Sequence, residues 1–380
     1  MKYQICTYCV MDTSDPEIVF DGDGRCIHCR SYQEIVSKIP RFEPNSDHTL
    51  ADLVADMKRR AKGRDYDCLI GVSGGVDSTY LAYYVTKVLN LRPLAVHLDN
   101  GWNSEVAVQN IERMLTKLDI DLYTEVLDWR EFSDLQLAFL KSSTPDCEIP
   151  TDHAIFSTLY QKALDEGIST ILLGVNLVTE FILPRLWSQG HRDWIYIKGL
   201  NRRFGLGKLR TYPHTSIWKY FYLFKIRGLR VMRLYDYVDF NKKDVEEFIK
   251  RELGWKPYPA KHYESLYTKF YQGYLLPKKF GFDKRRAHLS SLICAGQTTR
   301  DQAMRELQKP ALPPEEEGVM LDYVAKKLRI SRGDLEQICT QSPKTYRDYP
   351  SLETDPVVRT SKKLYRLFGG ARGIGDGLGA

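Results

Sequence analysis

The sequence predicts an α/β fold with a doubly wound, mostly parallel sheet, and three observations lead to this prediction. From Asp67 onward, short apolar runs typical of buried strands alternate with amphipathic stretches of helical spacing. A glycine pair follows the first of these runs. Paired cysteines precede this region, and helical periodicity follows it. We therefore expect an N-terminal zinc-ribbon-like module, the α/β domain and a helical C-terminal region.

The N-terminal module, assigned to residues 1–46, contains four cysteines in a C-x2-C-x16-C-x2-C pattern. They are Cys6, Cys9, Cys26 and Cys29. This spacing is typical of a tetrahedral zinc site with four thiolate ligands. Because cysteines fill all four positions, we expect a structural Zn²⁺ without an open coordination site. Two disulfides or an iron–sulfur cluster are the alternatives.

The α/β domain is assigned to residues 47–260. Strands are predicted at 68–72, 94–98, 122–127, 171–173 and 231–238, and helices at 80–89, 106–118, 154–164 and 241–253. Strands and helices that alternate at this interval are typical of βαβ units, which produce a parallel sheet covered by helices on both faces. Asn241 is a plausible N-cap for the last of these helices.

The C-terminal region, assigned to residues 261–350, has helical periodicity, most clearly at 322–328 and 334–339. Three prolines, Pro310, Pro313 and Pro314, predict a break before these helices. Residues 351–380 end in a glycine-rich stretch and are expected to form a disordered tail. The helical region at residues 261–350 is also expected to contribute side chains to the active site.

The turn after the first strand is a candidate phosphate-binding loop. Its residues are Ser73, Gly74, Gly75, Val76, Asp77 and Ser78. Glycines let the backbone approach phosphates, and the amides at the start of a helix are natural donors to them. The two serines add hydroxyl donors, and Asp77 can hold Mg²⁺. No lysine lies in this loop, which disfavours γ-phosphate transfer and favours ATP used for adenylation with release of pyrophosphate. A glycine turn without a ligand is the alternative.

Two further strand ends are expected at the same edge of the sheet, where open α/β sheets bind ligands. Asp99 and Asn100 follow the second predicted strand, and we expect the backbone beside Asp99 to hold adenine and Asn100 or Gly101 to hold the ribose. Gly174 follows the strand at 171–173 and permits close approach, while Asn176 or Glu180 could reach phosphate or metal. Ordinary polar turns are the alternative at both positions.

Several longer blocks carry a resemblance to a known family. They are residues 6–16, 73–78, 99–102, 150–155, 276–281 and 283–290. With these blocks the chain resembles the N-acetyl sugar amidotransferases of the WbpG and PseA type, within the PP-loop ATP pyrophosphatase superfamily, whose domain has the adenine nucleotide alpha hydrolase-like fold. The loop is typical of the whole superfamily, whereas the first and last blocks are specific to the family.

The resemblance implies an ATP-dependent reaction on a nucleotide-linked N-acetylated sugar. ATP adenylates the acetamido oxygen, and ammonia then displaces AMP to give an acetamidino sugar for lipopolysaccharide O-antigen biosynthesis. Cations stabilise the charge that develops on the phosphates. Lys278 and Lys279 are the candidate catalytic cations, and Arg285 and Arg286 are candidate nucleotide ligands; a solvated basic surface is the alternative.

Asp152 and His153 open the predicted helix at 154–164 and are candidates to orient the acceptor or to move a proton. An N-cap aspartate beside a partly buried histidine is the alternative.

The chain shows no glutaminase motif of its own. Cys294 comes closest, but the last histidine, His288, precedes it. The resemblance therefore implies a separate HisH-like glutaminase with a HisF-like subunit that channels ammonia. Two other functions remain open: a PP-loop tRNA thiolase, for which Cys147 is the scattered cysteine expected nearest the site, and a nucleotide-binding scaffold for a sugar-biosynthesis complex.

Composition and charge indicate a cytoplasmic protein. The 380 residues carry a net charge of +6 and contain no long apolar run that predicts a transmembrane segment. Residues 191–233 hold eleven Lys or Arg against the single acid Asp193, interleaved with aromatic residues. This basic aromatic segment suits a nucleotide sugar, RNA, an anionic membrane or a protein partner, and charge does not choose between them. For the whole protein, nucleic acid is not the expected partner.

Overall fold

The computed structural model describes residues 2–40, 49–258 and 264–356. Its centre is a five-stranded sheet in the order β3-β2-β1-β4-β5 with parallel pairing throughout. The strands are β1 (Cys68–Gly71), β2 (Pro93–Asp99), β3 (Leu122–Val126), β4 (Thr170–Leu173) and β5 (Arg230–Arg233). The predicted doubly wound parallel sheet is therefore confirmed. Since β2 and β4 flank β1, their carboxyl ends meet at one edge of the sheet, called the C-terminal edge below.

Helices precede, connect and follow the strands. In the first half of the chain they are α1 (Ile27–Val36), α2 (Leu50–Arg60), α3 (Val76–Tyr83), α4 (Glu105–Leu118), α5 (Trp129–Ser142), α6 (Ile149–Asp165) and α7 (Leu177–Glu180). In the second half they are α8 (Trp194–Phe204), α9 (Ile217–Phe221), α10 (Lys242–Leu253), α11 (Leu266–Phe270), α12 (Lys284–Cys294), α13 (Arg300–Gln308), α14 (Pro314–Leu328) and α15 (Arg332–Thr340). π-Helical turns extend α3, α9 and α11 over Tyr84–Val88, Tyr222–Ile226 and Tyr271–Phe280. No helix within the described ranges has the length and apolar character needed to cross a bilayer.

The strands β1, β2 and β4 are buried on both faces of the sheet, which explains their nearly continuous apolar runs in the sequence. Cys68 and Ile70 of β1 pack into a core with α3, α4 and α10. Leu69 points to the opposite face, where it packs with α6 and with the π-helical turn after α9. As predicted, Asn241 caps α10, because its Oδ1 accepts a hydrogen bond from the amide of Lys243 at 3.0 Å.

The structure differs from the sequence predictions in the fifth strand and in several helices. The fifth strand was predicted at 231–238 but ends at Arg233, where a 3-10 turn, Leu234–Asp236, takes over. The guanidinium of Arg233 pairs with Asp236 at 2.8 Å across this turn. The sequence analysis also missed several helices, among them α5, of whose fourteen residues nine are buried.

The cysteine module packs against the C-terminal region and shares one hydrophobic core with it. The amide of Val10 donates to Ser290 Oγ at 3.2 Å, and the guanidinium of Arg286 lies 3.1 Å from the carboxylate of Asp12. The chain also stays packed beyond the predicted boundary at residue 350, since Ser351 is fully buried. The remainder of the predicted tail, residues 357–380, lies outside the described residues, as do 41–46 of the module and 259–263 at the second boundary.

Candidate functional site

The phosphate loop, residues 73–78, joins β1 to α3 at the C-terminal edge. Gly74 has a φ of +79°, and a Cβ at this position would lie 2.5 Å from the carbonyl oxygen of Ala107, so only glycine fits. The Gly74 carbonyl accepts hydrogen bonds from Trp255 Nε1 at 2.8 Å and from the Tyr258 hydroxyl at 3.0 Å. Side chains from the end of the α/β domain therefore fix the shape of the loop.

The loop gathers donors at the start of α3. The hydroxyl of Ser78 lies 3.2 Å from that of Ser73 and also accepts from the Ser73 amide. Gly75 is the N-cap and Val76 the first residue of α3; in the structure as described, no side chain caps this terminus. Asp77 lies in the first turn. Hydroxyls, helix amides and a carboxylate within six residues suit a magnesium-bound polyphosphate.

The end of β4 lies directly against this loop. A Cβ at Gly174 would lie 3.1 Å from the carbonyl oxygen of Asp77, which also accepts a hydrogen bond from the Tyr235 hydroxyl at 2.6 Å. Asn176 is fully buried, and its Oδ1 caps α7. Glu180 accepts a hydrogen bond from the Asn176 amide at 3.4 Å. Within the described chain, Asn176 Nδ2 has no acceptor, and an orphaned buried donor beside the loop is compatible with an anionic ligand.

The end of β2 forms the other side of this edge. Asp99 and Asn100 shape the turn, because they accept hydrogen bonds from the amides of Gly101 at 2.9 Å and Trp102 at 3.1 Å. Asn100 Nδ2 also donates to Thr151 Oγ1 at 3.3 Å. This contact brings the start of α6 to the C-terminal edge. The predicted gathering of the three strand ends is thus observed, while nucleotide binding by each residue stays a prediction.

A carboxylate–histidine cluster surrounds the start of α6. His191 lies between Asp152, 2.9 Å from its Nδ1, and Asp146, 3.1 Å from its Nε2. Burial opposes protonation of His191, but the two carboxylates outweigh burial and raise its pKa to about 10. The charge of His191 in turn outweighs the burial of Asp146 and holds the pKa of that carboxyl below its usual range. Sequence analysis identified Asp152 but not His191 or Asp146, which meet only through the fold.

His153 lies behind this cluster and is nearly fully buried. Its Nδ1 lies 2.8 Å from the carbonyl oxygen of His191, and its Nε2 accepts a hydrogen bond from the amide of Thr215 at 3.2 Å. Burial lowers the pKa of His153 to about 4, so the ring is neutral near pH 7. With both ring nitrogens bound to backbone groups, His153 is placed to position α6 rather than to reach a substrate.

Glu148, at the N-cap of α6, is a half-buried carboxyl that sequence analysis also missed. Burial raises its pKa to about 7. It accepts hydrogen bonds from Thr268 Oγ1 and, at 3.4 Å, from Gln272 Nε2, both on the helix that begins with α11. The C-terminal region therefore reaches the same edge of the sheet as the phosphate loop.

Glu264 and Lys327 are further C-terminal side chains at this edge. Glu264 Oε1 lies 3.5 Å from the position that a Cβ on Gly75 would occupy, so a second carboxylate lies beside the phosphate loop. Lys327 Nζ donates to the carbonyl of Gly101 at 2.6 Å and lies 4.5 Å from the ring centroid of Trp129. Neither residue carries a signal in its local sequence, because each is brought here by a distant part of the chain.

The four cations predicted from the late sequence block make other contacts in the structure. Lys278 lies 3.4 Å from Glu317, and Lys279 Nζ donates to the carbonyl of Ile338 at 2.6 Å. Burial lowers the pKa of Lys279. Arg285 binds the carboxylate of Asp283, and Arg286 donates to the Val10 carbonyl at 2.8 Å. These contacts connect the C-terminal region internally and to the cysteine module; a role of the four cations at the nucleotide stays a prediction.

The four N-terminal cysteines are fully buried, and their Sγ atoms lie within 4.8 Å of one another. The Sγ separation is 3.9 Å between Cys6 and Cys29 and 3.6 Å between Cys9 and Cys26. A tetrahedral site with Zn–S bonds of about 2.3 Å has S–S edges of about 3.8 Å, so the set fits zinc. Arg300 binds the carbonyls of Cys6 and Cys9, at 3.1 Å in each case, and holds the first knuckle against α13.

The other cysteines lie in two kinds of environment. Cys68 is inside β1, and Cys147 and Cys339 are buried. Burial raises the pKa of the Cys147 thiol far above its usual range. Cys294 is partly exposed, and its Sγ lies 3.9 Å from that of Cys29, which places it beside the cysteine cluster.

The comparison with known families adds a match over the C-terminal region. Residues 264–365 match the C-terminal domain of WbpG-like LPS biosynthesis proteins. The C-terminal region is therefore similar to the C-terminal domain of WbpG-like proteins. The match begins at Glu264, the carboxylate beside the phosphate loop. It confirms the resemblance that the sequence blocks at 276–281 and 283–290 indicated.

Relatives and solved structures show further similarities. The uncharacterized protein MJ1599 of Methanocaldococcus jannaschii is 21% identical over 318 residues, 82% of this chain and 95% of that protein. The glutamine-hydrolyzing GMP synthase of Pyrobaculum aerophilum is 28% identical over 137 residues, 35% of this chain and 24% of that enzyme.

Two solved structures align at a TM-score of 0.29. An NH3-dependent NAD synthetase of Campylobacter jejuni is 14% identical and covers 80% of this chain and 96% of its own; an NMN synthetase of Francisella tularensis is 15% identical and covers 64% and 92%. The fold assignment given above rests on the strand order and pairing of this chain itself.

Proposed function

We propose that the protein is an ATP-dependent amidotransferase that converts the acetamido group of a nucleotide-linked N-acetylated sugar into an acetamidino group. One observation carries the proposal: the WbpG-like domain places Glu264 beside the phosphate loop and Lys327 on the end of β2. A domain that adds side chains to the nucleotide-binding edge of the sheet can also bind the acceptor substrate in the same site.

The proposed chemistry proceeds in two steps. The acetamido oxygen attacks the α-phosphorus of ATP, an O–P bond forms, and pyrophosphate leaves. Ammonia then adds to the activated carbon, and the C–O bond breaks to release AMP, which carries the former acetamido oxygen. The product is a protonated acetamidine. The adenylate is required because an amide has no good leaving group of its own.

The residues of the loop have distinct roles in this proposal. The amides at the start of α3 and the hydroxyls of Ser73 and Ser78 bind the β- and γ-phosphates, which leave together as pyrophosphate. Asp77 and Glu264 would hold magnesium, which when bound neutralises phosphate charge. Asn176 Nδ2 donates to a phosphate oxygen, which supplies the partner that this buried amide otherwise lacks.

The acceptor is proposed to bind near the start of α6. The Asp152 side chain is 39% exposed and is oriented by the protonated His191, whereas His153 is buried and bound on both sides. Of the two residues predicted from the sequence, Asp152 is therefore the one able to accept a hydrogen bond from the acetamido N–H. His153 acts as a positioning residue that holds α6 against residue 191.

Ammonia is proposed to come from a separate HisH-like glutaminase through a HisF-like channel subunit, in the cytoplasm, in a pathway to lipopolysaccharide O-antigen. Support for the separate source comes from the thiols. Cys147 is buried and its raised pKa disfavours the thiolate that a glutaminase nucleophile requires.

The same observation disfavours the tRNA thiolase, which needs a reactive thiol near the loop. Cys68 lies inside β1, Cys147 is buried, and Cys294 lies beside the zinc-type cluster. Within the described chain, none of these three thiols is an exposed group at the phosphate loop.

Product analysis by mass spectrometry tests the proposal. The full chain is incubated with Mg-ATP, ammonium salt and a panel of UDP-linked N-acetylated sugars and uronic acids. We expect one sugar to lose about one mass unit, the difference between oxygen and an NH group, together with AMP and pyrophosphate. Asp77→Ala is the control variant and should form no AMP. ATP cleavage to AMP with every sugar unchanged would contradict the proposal and point to another acceptor.

A further inference from the structure

The outer face of α9 and of the π-helical turn that extends it exposes a set of large apolar side chains. This outer face consists of Ile217, Trp218, Phe221, Tyr222 and Ile226. Trp218 is 80% exposed, which makes it the most exposed of the six tryptophans, and Phe221 is 54% exposed. Single exposed apolar residues are common on proteins, but five on one helical segment form a contiguous patch.

The segment is firmly attached to the domain by its opposite face. Leu223 is buried in the core beneath β1, and the rings of Tyr220 and Phe224 pack against Tyr160 of α6 at centroid distances of 5.7 and 5.4 Å. The outer face is therefore held outward by a rigid inner face. The apolar side chains of the outer face are therefore exposed although the helix itself is well packed.

Positive charge accompanies the apolar patch. Lys225 lies on the outer face between Tyr222 and Ile226, and Arg227 follows directly; both are exposed. Within the described ranges, no carboxylate forms an ion pair with either residue. The surrounding residues 191–233 hold eleven basic residues against one acid, so local charge is strongly positive.

We propose that the outer face of α9 binds the surface of an anionic lipid bilayer. Indole and phenol rings partition to the depth of the lipid headgroups, and lysine and arginine attract anionic headgroups. A helical segment with an aromatic and aliphatic face of this kind lies in the plane of the interface. The two isoleucines add aliphatic area that acyl chains can cover.

Two other occupants fit the face less well. A second copy of the chain across a two-fold axis would place Lys225 and Arg227 against the same cations of its partner, which costs free energy. A nucleic acid would satisfy the cations and stack on the rings, but it offers no apolar surface to cover Ile217 and Ile226. The segment has ten residues, about 15 Å at 1.5 Å per residue, so binding is expected to be reversible and sensitive to salt.

Vesicle co-sedimentation of the full chain tests the proposal. We expect binding to vesicles of phosphatidylcholine with phosphatidylglycerol, weak binding to phosphatidylcholine alone, and release by high salt. The fluorescence emission of Trp218 should shift to the blue on binding, because its indole leaves water. Lys225→Gln with Arg227→Gln should reduce partitioning about 25-fold, since each basic residue near an anionic surface contributes a factor of about five.

Matched variants separate the outer face from general hydrophobicity. Trp218→Ser with Phe221→Ser should abolish vesicle binding, whereas Val319→Ser, which changes an equally exposed apolar residue on α14, should leave it unchanged. No binding to anionic vesicles at low salt would overturn the proposal. Vesicle binding that survives both double substitutions would also overturn it. The same holds if vesicle binding is absent and the outer face instead supports binding of single-stranded RNA or self-association.

Discussion

Substitution of Gly74 by alanine tests how tightly the phosphate loop is built. At a φ of +79° an alanine costs about 1–2 kcal/mol in backbone strain. In addition, its Cβ would lie 2.5 Å from the backbone oxygen of Ala107, and backbone cannot move aside as a flexible side chain can. Overpacking of this kind costs about 1–3 kcal/mol more. We therefore expect Gly74→Ala to lower the free energy of unfolding by about 2–5 kcal/mol and to displace the loop amides.

Gly63 provides a matched control because it has nearly the same backbone conformation, with a φ of +78°, and no atom within 4 Å of an added Cβ. Gly63→Ala should cost only the backbone term of about 1–2 kcal/mol. Urea denaturation measures both variants, and calorimetric titration with Mg-ATP measures nucleotide affinity. Affinity should fall in Gly74→Ala alone. Equal stability losses in the two variants, with ATP affinity retained in both, would refute this account of the loop.

Three further predictions concern the magnesium site, the histidine cluster and the cysteines. Glu264→Gln should raise the magnesium concentration needed for AMP formation. An unaltered magnesium dependence would remove Glu264 from the site. His191 has a folded pKa raised to about 10, above its usual value of about 6.5, so its stabilising contribution is complete below pH 6.5 and is lost as pH rises toward 10. The free energy of unfolding should therefore fall across that range, and His191→Gln should make it depend less on pH. A pH dependence in the variant as steep as that of the parent protein would contradict the pairing of His191 with Asp146 and Asp152. Purified protein should contain one zinc per chain. Cys26→Ser should lose the zinc and lower the thermal midpoint of unfolding, because the cluster shares a core with the C-terminal helices. Metal analysis that finds no zinc in the parent protein would contradict this assignment.

The sequence was sufficient for the features that local patterns determine. The buried strand before Ser73, the glycine at a positive φ and the paired cysteines each need a particular residue type at a particular spacing. Parallel pairing then follows from the alternation of strands and helices. For this reason the sheet, the loop position and the meeting of the strand ends were predicted correctly.

The sequence was not sufficient for contacts between distant parts of the chain. Glu264 reaches Gly75 across nearly the whole α/β domain, and His191 meets Asp146 and Asp152 only when the segment after α7 folds back. Arg286 is a further example: its family block predicts a nucleotide ligand, and the structure adds a contact, unseen in the sequence, between its guanidinium and Asp12 of the cysteine module. A charged residue in the sequence shows which partners it can bind, but only the fold selects one.

The shortened fifth strand has a physical explanation as well. Residues 231–238 have the composition of a strand, but Tyr235 is needed at a turn from which its hydroxyl donates to the Asp77 carbonyl at 2.6 Å. The chain therefore leaves the sheet after Arg233. Tertiary and local contacts at this turn, among them the hydrogen bond of Tyr235 to the phosphate loop and the ion pair of Arg233 with Asp236, outweigh local strand propensity here.

The most direct test of the proposed reaction follows the acetamido oxygen itself. A nucleotide-linked sugar that carries a heavy oxygen isotope in its N-acetyl carbonyl is converted with Mg-ATP and ammonia, and the released AMP is weighed by mass spectrometry. Adenylation of the acetamido oxygen predicts that the label appears in AMP and is absent from the sugar product. Unlabelled AMP, with the label retained on the sugar or released as water, would contradict the account.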